Sequence, residues 1–196
     1  MNKDSEFLIG GDELFDVPRF VNHHDFMLKS YIPIKEKQYS FFLSCSKYKP
    51  YYKSPYRRLF YSMLSKNLDI RDKSQIYTVS EPAIIVPEEL DDTNITAYDF
   101  PPENLTDKGK EIFILRLSNI LPKLILAHEH SFYVLPRHHR AIFEQALERI
   151  YTNHMIPDLD KTLIISRVTY APPLTYNLPK AKMIISETLN KTKDFY

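Results

Sequence analysis

Thr106–Leu126 reads TDKGKEIFILRLSNILPKLIL, and its spacing decides the architecture. Thr106 is a residue type that caps helix N-termini, and Asp107 sets a negative charge against the positive end of the helix dipole. Ile112, Phe113, Leu115, Ile120, Leu121, Leu124 and Ile125 then form an apolar surface too broad for a surface helix. This pattern predicts a central, largely buried helix. Pro122 lies inside it and predicts a kink or an end there. A second helix is predicted over Pro136–Asn153, where Ile142, Phe143, Ala146, Leu147, Ile150 and Tyr151 share one stripe.

Outward from this pair the elements are shorter. Gln38–Ser44 (QYSFFLS), Gln75–Val79 and Ala83–Val86 read as strands, as does the β-branched Thr162–Tyr170 (TLIISRVTY). Ser54 and Pro55 suit the cap and first position of a helix running to about Asn67. Pro179–Leu189 suggests a last helix, with a strand over Met183–Ser186 as its rival. Residues 1–50 read as extended or irregular, with Pro18 and Pro33 as breaks. The expectation is one α+β domain over 1–196: two central helices, short strands, and extended, proline-rich N-terminal segments. Residues 1–50 would be an extended arm or interface segment.

Composition narrows the function classes. The chain carries 26 basic and 25 acidic residues, so no global charge draws it to nucleic acid or to membranes. The greasiest stretch, Ile112–Ala127, is broken by Arg116, Asn119, Pro122 and Lys123 and is too short to span a bilayer. The N-terminus is polar and lacks a signal-peptide pattern, and a single cysteine, Cys45, permits no intrachain disulfide. The expected location is cytoplasm or virion, not secretion. Only three glycines are present, and no P-loop, GxGxxG, GxSxG, CxxC or EF-hand pattern occurs.

Two stretches stand out. The first is Lys47–Arg58, in which Lys47, Lys49, Lys53, Arg57 and Arg58 interleave with Tyr48, Tyr51, Tyr52 and Tyr56. Basic side chains neutralise phosphates and tyrosine rings stack on bases, while the same set suits an acidic protein surface. The acidic loop Glu88–Glu103 would supply such a surface on a neighbouring subunit. The second is a histidine group, His128, His130, His138 and His139. Imidazole is a common metal ligand, but His-Glu-His lacks the helical i,i+4 spacing that aims two ligands at one ion. An inter-helix turn with structural histidines is the expected role. Cys45 is expected to be a structural thiol, and His23-His24-Asp25 lacks a nucleophile beside it.

These features predict a non-enzymatic structural or adaptor subunit of a large assembly, specifically a virion head–tail connector or neck component. It would contact other protein subunits, including copies of itself, and need no cofactor. The alternatives are a single-stranded nucleic-acid-binding accessory protein and a His-dependent metalloenzyme.

Overall fold

A computed structural model describes residues 7–193. In chain order the elements are β1 (Leu8–Ile9), α1 (Pro18–Lys29), β2 (Tyr39–Ser44), α2 (Pro55–Ser62), β3 (Ser74–Ser80), β4 (Ile84–Pro87) and β5 (Tyr98–Asp99). There follow α3 (Asp107–Leu126), β6 (His130–Val134), α4 (Arg137–Thr152), α5 (Asp158–Ser166), β7 (Val168–Tyr170) and α6 (Leu174–Lys193). The fold is α+β, as the sequence predicts. No helix among the described residues is long and apolar enough to cross a membrane.

The main sheet has the order β4-β3-β2-β6-β7. β2 lies in its middle, parallel to both β3 and β6, and β7 continues the parallel set. Only β4 is antiparallel, joined to β3 by a tight turn. A sheet of this kind is buried on both faces, so its strands read as apolar runs. Alternation along β2 assigns the faces. Phe42 meets Tyr77, Tyr133 and Phe143 on the side of α1, α3, α4 and α5, while Phe41 and Leu43 meet Phe60, Phe132 and Ile185 on the side of α2 and α6. Phe41 stacks on Phe132 with ring centroids 5.0 Å apart, and Phe42 stacks on Tyr77 at 5.3 Å. The predicted central helices α3 and α4 pack on one another as one layer, and the sheet takes the centre.

Several expectations change. Pro18 starts α1 instead of breaking the chain, because a proline at the first helical position gives up no hydrogen bond. Residues 7–50, where an arm is expected, are built into the body: Phe15, Phe20 and Met27 are fully buried and β2 is the central strand. Pro122 lies within α3 without ending it. Thr162–Ser166 is helical, and only Val168–Tyr170 of that stretch is strand. Ile164 there is buried against the α3–α4 layer, so packing overrides β-propensity. The rival strand over Met183–Ser186 is part of α6, which kinks at Asn177 just before Pro179.

Candidate active site at the carboxyl ends of the parallel strands

The strand order places three segments side by side. Cys45 follows β2 directly, and its N–H donates to the Val79 carbonyl at 3.0 Å, extending the β2–β3 ladder by one residue. Glu81 follows β3 and opens the turn into β4, in which Ile84 holds a positive φ of 68°. His138 and His139 lie in the first turn of α4, which follows β6. β2 connects to β3 on one side and is flanked by β6 on the other. The crevice outside the carboxyl ends of such strands is where open parallel sheets bind ligands.

In that crevice Glu81 is buried and accepts two hydrogen bonds, from His138 Nε2 at 3.1 Å and from His139 Nε2 at 3.0 Å. Cys45 Sγ stands 3.9 Å from the same His139 nitrogen. One imidazole N–H thus lies between a carboxylate and a thiol, unlike triads in which each ring nitrogen serves a single partner. Burial alone would push the His139 pKa down. The Glu81 charge and the bonds to Cys45 and Glu81 outweigh it and hold His139 up at about 10. Burial would likewise raise Glu81, but the His139 charge and both histidine hydrogen bonds pull it well below the usual carboxylate range. For Cys45 burial and Glu81 act upward. The hydrogen bond and charge of His139, with Lys49 adding to them, win, and the thiol pKa is lowered. The imidazolium of His139 thus stabilises the thiolate form of Cys45 relative to an ordinary thiol.

The three groups open onto a cavity of about 320 Å³, whose wall also includes Lys49, Tyr98, Asp99 and Phe100. Lys49 is held from beneath. Its Nζ donates to the Tyr51 hydroxyl at 3.0 Å and sits 4.2 Å and 4.3 Å from the Tyr51 and Tyr98 ring centroids. The Tyr51, Tyr98 and Ser80 hydroxyls form a buried cluster. The carboxylate of buried Asp91 accepts the Tyr51 and Tyr52 N–H groups at 2.6 Å and 2.8 Å and clasps the loop.

The basic tyrosine stretch therefore divides. Lys49 and Tyr51 turn into the site, and Arg57 is buried, donating to Thr78 Oγ1 at 2.9 Å. Tyr56 is half-buried, while Lys47, Tyr48, Tyr52, Lys53 and Arg58 are exposed. The acidic stretch 88–103 is engaged within the chain in its first part, where Glu88 pairs with Arg71, Glu89 accepts from Tyr31 and Gln75, and Asp91 holds the loop, while Asp92 and Glu103 are exposed.

The histidine group also divides. His128 and His130 lie at the start of β6, distant from Cys45 in role and partners. The former donates from Nδ1 to the Lys37 carbonyl at 2.7 Å and bonds Tyr77 at 3.0 Å, and the latter bonds Thr169. His23 is spent on the Ile85 carbonyl. Cys45, Glu81 and His139 each offer one ligand atom, all within 4.8 Å of one another, a spacing that a metal ion with one open position can use. The Lys49 ammonium on the same cavity wall opposes a dication there. Sequence reasoning missed Cys45 and Glu81 as partners of His139. The available signal was that each follows a strand at its carboxyl end.

No curated protein matches the chain. A crystal structure of AF0587, a protein of unknown function, aligns with a TM-score of 0.43 and 15% identity over 76% of this chain. The aligned region spans 42% of that protein, well under half its length. Residues 18–163, which carry Cys45, Glu81 and His139, match a family model over most of the chain. The protein belongs to the family described as Domain of unknown function (DUF5591).

Proposed function

We propose that the protein is an enzyme that uses Cys45 as a nucleophile toward an electrophilic carbon of a small substrate. The observation that carries this reading is the Cys45–His139–Glu81 arrangement opening onto a cavity at the carboxyl ends of parallel strands. The Cys45 thiolate attacks the carbon and forms a C–S bond. The bond to the leaving group breaks, and the leaving group takes the proton from the His139 imidazolium. Water or another acceptor, deprotonated by His139, then attacks the thioester-like carbon and releases the thiolate. Glu81, held by both histidines, orients His139 and keeps it cationic in the resting state. A nucleophilic cysteine needs this kind of electropositive, partly accessible setting, whereas structural thiols are inert.

The test is the pH dependence of Cys45 alkylation by iodoacetamide, followed by intact mass. The wild-type rate should level off well below the range of an ordinary thiol, about pH 8.5. His139→Gln should move the profile upward. A wild-type profile identical to that of a free thiol removes the reading.

A second reading, single-stranded nucleic-acid binding, is favoured by the exposure of Lys47, Tyr48, Tyr52, Lys53 and Arg58, of which Lys47 lines the cavity. It predicts oligonucleotide binding that weakens steeply with salt and with Lys53→Glu. Fluorescence anisotropy that finds no binding at low salt excludes it. The assembly-subunit reading draws on composition, and on the strong exposure of Tyr151, Met155 and Leu159 around the α4–α5 connection. Light scattering of the purified chain at rising concentration tests its self-association, and a monomer throughout excludes copies of itself as partners.

A further inference from the structure

We propose that Lys49 anchors a carboxylate of the molecule on which Cys45 acts, so that the cavity selects anionic substrates. The inference rests on the nucleophile reading above and adds the substrate class. A lysine ammonium has three donors. One is used on the Tyr51 hydroxyl, and no carboxylate lies within ion-pair distance of Nζ among the described residues. The Tyr51 and Tyr98 rings compensate only part of the charge, since a ring face offers a quadrupole and no counter-ion. The ammonium is fixed by this cradle and by the Asp91 clasp on the loop, and it lines the cavity.

Burial acts against the Lys49 charge, and the negative charges of Cys45, Asp99, Asp91 and Glu81 act for it without any of them reaching Nζ as an ion pair. Lys49 lines the same cavity as Cys45, so its remaining donors face the space a substrate fills. A substrate carboxylate that accepts from them holds the reacting carbon beside Cys45. Of the other charged groups on the wall, Glu103 and Lys47 are exposed at the rim and screened by water, and Asp99 is half-buried. Asp99 disfavours a second negative charge, which is why a monoanionic carboxylate fits better than a phosphate dianion.

The probe is a pair of alkylating reagents of nearly equal size, iodoacetate and iodoacetamide, which differ in charge. The ratio of their rates is taken on one thiol, so it does not depend on that thiol's pKa. It therefore tests Lys49 even if Cys45 follows an ordinary thiol profile and the nucleophile reading fails. The ratio for wild-type protein should exceed that of glutathione by about tenfold, the low end of what a charged, low-dielectric cleft does to capture of a charged reagent. It should fall to the glutathione value in Lys49→Met and stay high in Lys47→Met. Unreactive acetate should slow the iodoacetamide reaction of wild-type protein, a readout that needs no variant to fold. A wild-type ratio equal to that of glutathione, or a raised ratio unchanged by Lys49→Met, overturns the assignment.

Discussion

The protein has two pairs of closely spaced histidines eight residues apart in sequence, and the fold gives them opposite chemistry. His128 and His130 are buried against neutral partners: a carbonyl, a tyrosine and a threonine. Burial lowers the pKa of both, that of His130 to about 4 with Arg167 adding to the effect. They are neutral rings that satisfy backbone and hydroxyl groups at the start of β6. His138 and His139, at the other end of the same strand, share one buried carboxylate, and His139 is pulled up to about 10. Burial is common to His128, His130 and His139, while His138 is exposed. What separates a structural histidine from a reactive one here is the charge of its partner, supplied by a residue 58 positions away.

Breaking the carboxylate should have the largest effect. Glu81→Gln keeps the shape but leaves His139 without its counter-charge, and removing one partner of a buried ion pair costs about 3–5 kcal/mol. Urea unfolding at neutral pH should show a loss of that size, against about 1 kcal/mol for His130→Gln, which forfeits one hydrogen bond. Equal losses in the two variants would erase the proposed distinction.

The pH dependence of stability should separate the pairs next. His130 has a folded pKa below its unfolded value, so its contribution is present above about pH 6.5 and is lost as the pH falls toward about 4. His139 has a folded pKa above its unfolded value. Its contribution is complete below about pH 6.5 and is lost as the pH rises through about 10. Urea midpoints measured across pH should therefore fall on both sides. His130→Gln should flatten the acid limb, and His139→Gln the alkaline one.

The smallest effect is expected from Tyr77→Phe, which removes the hydroxyl that bonds His128 at 3.0 Å. It should cost about 1 kcal/mol, the net value of an ordinary buried hydrogen bond. Alkylation of Cys45 should be unchanged, because this histidine belongs to the structural pair.

Much of the fold was legible because its signals are local. Thr106 and Ser54 do cap α3 and α2 by accepting from Gly109 N–H and Arg57 N–H, and the strands β2, β3 and β4 follow their apolar runs closely. Local signals also misled. The β-branched Thr162–Ile165 is helical because Ile164 packs on the helical layer, and Pro18 opens a helix. β6 was hidden because His130 and Ser131 look polar, although Phe132–Val134 bounded by Pro136 carries strand chemistry. Missing that strand concealed the site. Cys45 and His139 stand 94 residues apart, and no spacing rule joins them. Only the parallel order of β3, β2 and β6 brings their carboxyl ends together.

The most direct test of the central claim is the ultraviolet absorbance of the Cys45 thiolate, titrated as the difference between wild-type protein and Cys45→Ser. The account predicts a midpoint clearly below about 8.5, the value of an unperturbed thiol, moving above the wild-type value in His139→Gln and unmoved in His130→Gln. A midpoint at or above that of a free thiol, or one indifferent to His139, would contradict it.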